Sequence, residues 1–171
     1  MSPDVAKVLE RSLYETDYYA WTRQQAAALR AMAARQVDST LDLANLAEEV
    51  ESLGRSDLNT VRSQVRRIIE HLLKLEYSPA SEPRIDWLES VDQARNEIED
   101  HITASMAPDV TADLDRLFGR ARRSAASALV KHGEREAAMA LPQACPYRLE
   151  QIVGQDWYPA NRHGLVDDVD V

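Results

Sequence analysis

Read at about 100° per residue, the apolar positions of this chain fall into stripes of helical period. The first helix should run from Asp17 to Arg35, with Thr16 as N-cap and an arc of Tyr14, Tyr18, Trp21, Ala28, Leu29 and Met32 facing the core. Gln25 falls inside that arc and needs a hydrogen-bond partner if buried. A second helix from Leu41 or Asp42 gathers Leu43, Leu46, Ala47, Val50 and Leu53 on one face. Gly54 then reads as a C-cap glycine and Ser56 as a fresh N-cap, with a single kinked helix as the alternative. From Asp57 to Glu76 the stripe is Leu58, Val61, Val65, Ile68, Ile69, Leu72 and Leu75, ended by a loop between Pro79 and Pro83. A fourth helix over residues 85–105 aligns Leu88, Val91, Ile98, Ile102 and Met106, and Pro108 breaks it. A fifth, over 110–131, carries Leu114, Leu117, Phe118, Ala121, Ala125 and Leu129 and stops at Gly133. A short helix with Leu149, Ile152 and Val153 follows. The expected fold is all-α: an irregular antiparallel bundle of four to five main helices plus a short C-terminal helix, one domain over residues 1–159. Residues 160–171 are polar and acidic, and disorder is expected there.

Composition supports that reading. Gly is scarce at 5 of 171 residues, while Ala, Leu, Glu and Arg abound, which favours helix. The same scarcity argues against a glycine-rich phosphate loop, and neither G-x-G-x-x-G nor a Walker A pattern occurs. A formal charge of -9 repels nucleic acid and anionic membrane over most of the surface. Cys145 is the single cysteine, so an intrachain disulfide is impossible and a reducing cytosol fits. The first residues show no signal-peptide apolar run, and no stretch approaches the ~20 residues that span a bilayer. The expectation is a cytoplasmic, soluble protein.

Several words of the chain, taken together, resemble a bacterial family catalogued as a domain of unknown function, number twenty-nine. They are Tyr14-x-x-Asp17-Tyr18-x-x-Trp21 and Leu43-x-x-Leu46-x-Glu48-Glu49-Val50-Glu51-x-Leu53-Gly54. His71-Leu72-Leu73-Lys74 leads on to Tyr77 and Pro79, and Trp87, Val91, Arg95 and Ile98 follow at helical spacing. Pro142-x-x-Cys145-Pro146-Tyr147 and Asp156-Trp157-Tyr158-Pro159 complete the set, spanning residues 13 to 159. The resemblance implies an all-helical bacterial fold and brings no activity with it.

Chemistry has few candidates. If the second and third helices fold back on one another at Gly54, the carboxylates Glu48, Glu49 and Glu51 come within reach of His71 and Lys74. On the second helix alone these carboxylates diverge: Glu49 and Glu51 lie on opposite flanks and Glu48 points away from the core. A solvated face with boundary salt bridges is therefore the preferred reading. His71 lacks the Glu-x-x-His spacing of di-iron bundles, because Ile68 stands three residues before it, and His101, His132 and His163 are scattered. Neither a metal site nor a cofactor is expected. Arg95 falls inside an apolar stripe and should pair with Asp17, Glu49 or Glu51. Arg62, Arg66 and Arg67 form a basic cluster on the third helix, and the stripe Arg116, Arg120, Arg123 on the fifth is expected to meet Asp113 and the acidic tail in preference to nucleic acid.

Two readings of function follow. The preferred one is a non-enzymatic interaction or structural module, with a homodimer through an alanine-rich helix face or another protein as partner. The alternative is a metal-dependent or acid/base enzyme using Glu49 or Glu51 with His71 and Lys74, supported by Asp17 and Arg95.

Overall fold

The computed structural model describes residues 13–36 and 38–166. Among them there is no strand, and the chain is all-α. The elements are α1 (Tyr18–Ala34), α2 (Leu43–Tyr77), α3 (Arg84–His101), a 3-10 turn (Ala104–Met106), α4 (Ala107–Ala112), α5 (Leu114–Lys131), α6 (Arg135–Ala140) and α7 (Leu149–Val153). Residues 13–16 are helical as well. The anticipated break at Gly54 does not occur: α2 runs unbroken for 35 residues. A lone glycine costs a helix only about 1 kcal/mol, which packing readily repays. The fifth helix, in turn, is divided at Asp113 into α4 and α5.

The described residues form two compact units, one lying within residues 1–60 together with 101–109 and the other within 61–100 together with 110–171. In the first, α1 packs on the leading half of α2. Tyr19, Thr22 and Ala26 of α1 are buried, as are Leu43, Ala47 and Leu58 of α2. The two helices are antiparallel, since Thr22 lies against Gly54 whereas Arg30, further along α1, reaches back to Glu51 at 2.6 Å. Asp17, and not Thr16, caps α1: its Oδ1 accepts from the Ala20 amide at 2.9 Å. The carboxylate also receives the Ser105 amide at 3.0 Å and the Ser105 hydroxyl at 2.6 Å. Tyr19 donates to Asp109 at 2.7 Å, tying the 101–109 segment to the helix pair.

In the second unit the trailing half of α2 is the central element. Ile68, Ile69, Leu72, Leu73, Lys74 and Leu75 are all buried, so this stretch is enclosed on nearly every side. Val91, Ala94 and Ile98 of α3 and Leu117, Phe118, Ala121, Ala125 and Leu129 of α5 supply the surrounding core. The carbonyls at the end of α2 are closed by side chains: Arg84 and Asn161 donate to Leu75 O at 2.8 Å each, and Asn161 to Ser78 O at 2.9 Å. A helix end sealed inside protein requires such donors. The segment expected to be disordered from residue 160 is thus hydrogen-bonded, with the Arg162 amide also donating to Glu76 O at 2.9 Å. Its acidic residues Asp167, Asp168 and Asp170 lie outside the described residues.

Candidate functional site

Continuity of α2 decides the fate of the anticipated cluster. Glu49 and Glu51 sit on the leading half of the helix and His71 and Lys74 on its last two turns, instead of on two helices folded together. Glu48 and Glu51 form a surface network with Arg30 and Arg55, at 2.6–3.5 Å, and Glu49 is exposed. Hydrogen bonding to Arg30 holds the Glu51 carboxyl below its ordinary range. Exposed pairs of this kind contribute little to stability.

Arg95 corrects its expectation outright. It is buried, at 1 % exposure, yet its hydrogen bonds go to backbone carbonyls and not to Asp17, Glu49 or Glu51. The guanidinium donates to Ile152 O (3.1 Å), Gln151 O (3.2 Å), Gln155 O (3.2 Å) and Trp157 O (2.7 Å), and it lies 4.7 Å from the Tyr158 ring centroid. Carbonyls left over at the end of α7 carry partial negative charge, so they satisfy a buried cation without a carboxylate. Burial pushes the Arg95 pKa down. Tyr158, pushed up to about 12 by burial and by its hydrogen bond to Asp92, stays a neutral donor.

His71 is half-buried, and its Nδ1–H donates to Arg67 O at 2.9 Å. Burial holds it below the ordinary histidine range, so the ring is neutral at pH 7. Lys74 is 8 % exposed and bonds Glu70 at 2.7 Å. It lines a cavity of about 500 Å³ with Trp87, Pro83, Ala80, Ala128 and Leu129, edged by Glu82, Asp86, His132 and Glu134. Sequence reasoning singled out Lys74 but missed the residues around it, which come from a loop and two other helices. Among the described residues no group of three His, Cys, Asp or Glu side chains is arranged to hold a metal ion. Cys145 is half-buried, and burial raises its thiol pKa.

Of the Arg116, Arg120, Arg123 stripe, Arg116 pairs with Asp113 at 3.1 Å as anticipated, and the same carboxylate also takes Arg62.

The first unit presents a different kind of surface. Tyr14 (54 %), Met32 (42 %), Leu46 (38 %) and Leu53 (52 %) are exposed, with Tyr18, Trp21 and Val50 half-buried beside them. These are the residues whose periodicity pointed to the core, but the buried faces are rotated from them by roughly a quarter to a third of a turn. Tyr19, Thr22 and Ala26 occupy the contact on α1, and Ala47 and Gly54 do so on α2. Both stripes are displaced in the same rotational sense, which in an antiparallel pair puts them on one side. Tyr14, Tyr18 and Trp21 cluster within it, Tyr18 stacking on Trp21 at 5.5 Å and Tyr14 meeting it edge-on at 4.7 Å. The result is a mainly aromatic and aliphatic strip across two helices, with the Asp57 carboxylate near Tyr18 as a charged group on the same face of α2.

An all-helical protein with such a strip and no assembled catalytic cluster among the described residues finds its relatives by sequence. The chain belongs to the family described as Domain of unknown function DUF29, which matches residues 13–158. It is similar to a crystal structure described as an alpha-helical protein of unknown function from Rhodospirillum rubrum. The two share 29 % identity over 84 % of this chain and 90 % of that one, with a TM-score of 0.75. No curated protein matches it. No helix among the described residues is long and apolar enough to cross a membrane.

Proposed function

We propose that this protein is a non-enzymatic interaction module that pairs with a second copy of itself through the apolar strip of α1 and α2. The supporting observation is the strip itself: Tyr14, Tyr18, Trp21, Met32, Leu46, Val50 and Leu53 lie together and none of them is charged. Contiguous exposed apolar surface of this kind marks an association site. The choice of occupant rests on charge. A chain of formal charge -9 repels its own copies over most of its surface, and a patch that carries little charge beyond Asp57 is where two copies meet with least repulsion. A two-fold pair uses the same patch on both partners, so the strip needs to complement only itself. Ala27, Ala28 and Ala31, all exposed on α1, allow close helix approach. The lone thiol Cys145 fits a reducing compartment, and the setting we infer is a bacterial cytosol.

Light scattering of the wild type beside Leu53→Lys tests the reading. Leu53 is half exposed, so the change should leave the melting temperature nearly intact. The expected result is a wild type of twice the single-chain mass and a monomeric variant. A wild type that is monomeric at every concentration overturns the proposal.

A further inference from the structure

The second unit carries a cavity that the self-association reading leaves unused, and we propose that it binds a small monocarboxylate with an apolar body, held by Lys74. The cavity, about 500 Å³, is of the size that small-molecule sites occupy. Lys74 lines it, with a side chain of 10 % exposure that carries the ammonium. A lysine ammonium has three donors, and burial makes each unmet one costly. Glu70 takes one at 2.7 Å and balances the charge. Among the described residues the other donors have no protein acceptor. A carboxylate, with two oxygens, can accept both.

The walls fix the rest of the ligand. Trp87, Pro83, Ala80, Ala128 and Leu129 offer an indole and aliphatic groups, which suit a flat or aliphatic body. The carboxylates at the edge argue for a single negative charge. Glu82 and Asp86 are exposed, so water and salt weaken their repulsion, and that weakened repulsion is about twice as large for a dianion such as phosphate or a dicarboxylate as for a single charge. Glu134 is held at the edge by one hydrogen bond, its Oε2 accepting from the Ser78 hydroxyl at 2.6 Å. A cationic ligand would meet the buried Lys74 ammonium with no acceptor to offer it, and the exposed carboxylates Glu82 and Asp86 are already hydrated.

The test is calorimetric titration of the full chain with benzoate, and with benzylamine as the cationic counterpart. Three proteins are compared: wild type, the double variant Glu70→Gln/Lys74→Met, and Ala128→Phe. The double variant removes both members of the ion pair together, so no unpaired charge is left behind. Ala128 is half-buried on the cavity wall, and Phe there fills the space while both members of the ion pair are kept. We expect saturable one-to-one benzoate binding, weakened about tenfold or more in the double variant and abolished by Ala128→Phe. Should the double variant fail to fold, Ala128→Phe alone decides, because loss of binding with an unchanged melting curve places benzoate in this cavity. The proposal is overturned by any of three results: no saturable benzoate binding up to about 10 mM, a concentration that registers even millimolar affinity; benzoate binding unchanged in the folded variants; or benzylamine binding in place of benzoate.

Discussion

Gly54 of α2 lies directly against Thr22 of α1, so close that a Cβ on the glycine would overlap the Thr22 hydroxyl and approach the Tyr19 ring to 3.2 Å. The Thr22 hydroxyl is folded back on its own helix, donating to Tyr19 O at 2.8 Å. A glycine inside a long helix is thereby explained by a close crossing and not by an end.

This crossing makes an unusual mutant pair. Gly54→Ala should raise intrinsic helix stability by about 1 kcal/mol, yet overpacking typically costs 1–3 kcal/mol, so a net loss of roughly 1 kcal/mol is expected. Adding Thr22→Ala removes the overlapping atom and should recover part of that loss. Urea unfolding of both single variants and the double checks for the predicted non-additivity.

Arg95→Met should cost about 3 kcal/mol or more, because it leaves four carbonyls around the end of α7 without donors. Arg95→Lys should rescue little, since a compact ammonium cannot span carbonyls that a planar guanidinium reaches together. Chemical denaturation of the two variants gives the comparison, and hydrogen exchange should show early loss of protection at residues 149–153.

The sequence made much of this architecture legible, and its failures share a cause. The stripe Val61, Val65, Ile68, Ile69, Leu72 and Leu75 was readable because its apolar positions are large, and all of them are buried. The face of α1 was misassigned because a helix crossing at a glycine selects small residues. Thr22, Ala26 and Ala47 carry little hydrophobic signal, while Trp21 and Leu53 carry much. Arg95 stands out in the sequence as a charge inside an apolar stripe, but its partners are backbone carbonyls some sixty positions away, which no side-chain pattern announces. Lys74 was visible as a candidate. The wall provided by Trp87, Ala128 and Leu129 depends on how α3 and α5 pack in the second unit.

His71 predicts a pH response. Its folded pKa lies below the ordinary histidine value of 6.5, chiefly from burial, so the unfolded chain binds the proton first. The stability this contributes is fully present above pH 6.5 and is lost as pH falls from there toward the folded pKa. Thermal melts at pH 7.5 and 5.5 should therefore show a smaller drop for His71→Gln than for the wild type.

Asp17 acts lower on the scale. Burial raises its pKa, but hydrogen bonds from Ser105, Ala20 and Thr103 outweigh that and leave it below 3.8. Its contribution is present above the unfolded carboxyl pKa and is lost as pH falls through the folded value. Asp17→Ala should cost about 1–2 kcal/mol at pH 7, typical of a lost N-cap, and much less near pH 2. Denaturation at the two pH values makes the comparison.

The most direct test of the account is a distance between two copies. A spin label at Glu49→Cys, in a Cys145→Ser background, sits on the exposed flank of α2 beside the apolar strip. Pulsed dipolar spectroscopy should detect coupling between labels on separate chains, and Leu53→Lys should abolish it. Uncoupled labels at high protein concentration, with a solution mass equal to one chain, would contradict pairing through this face.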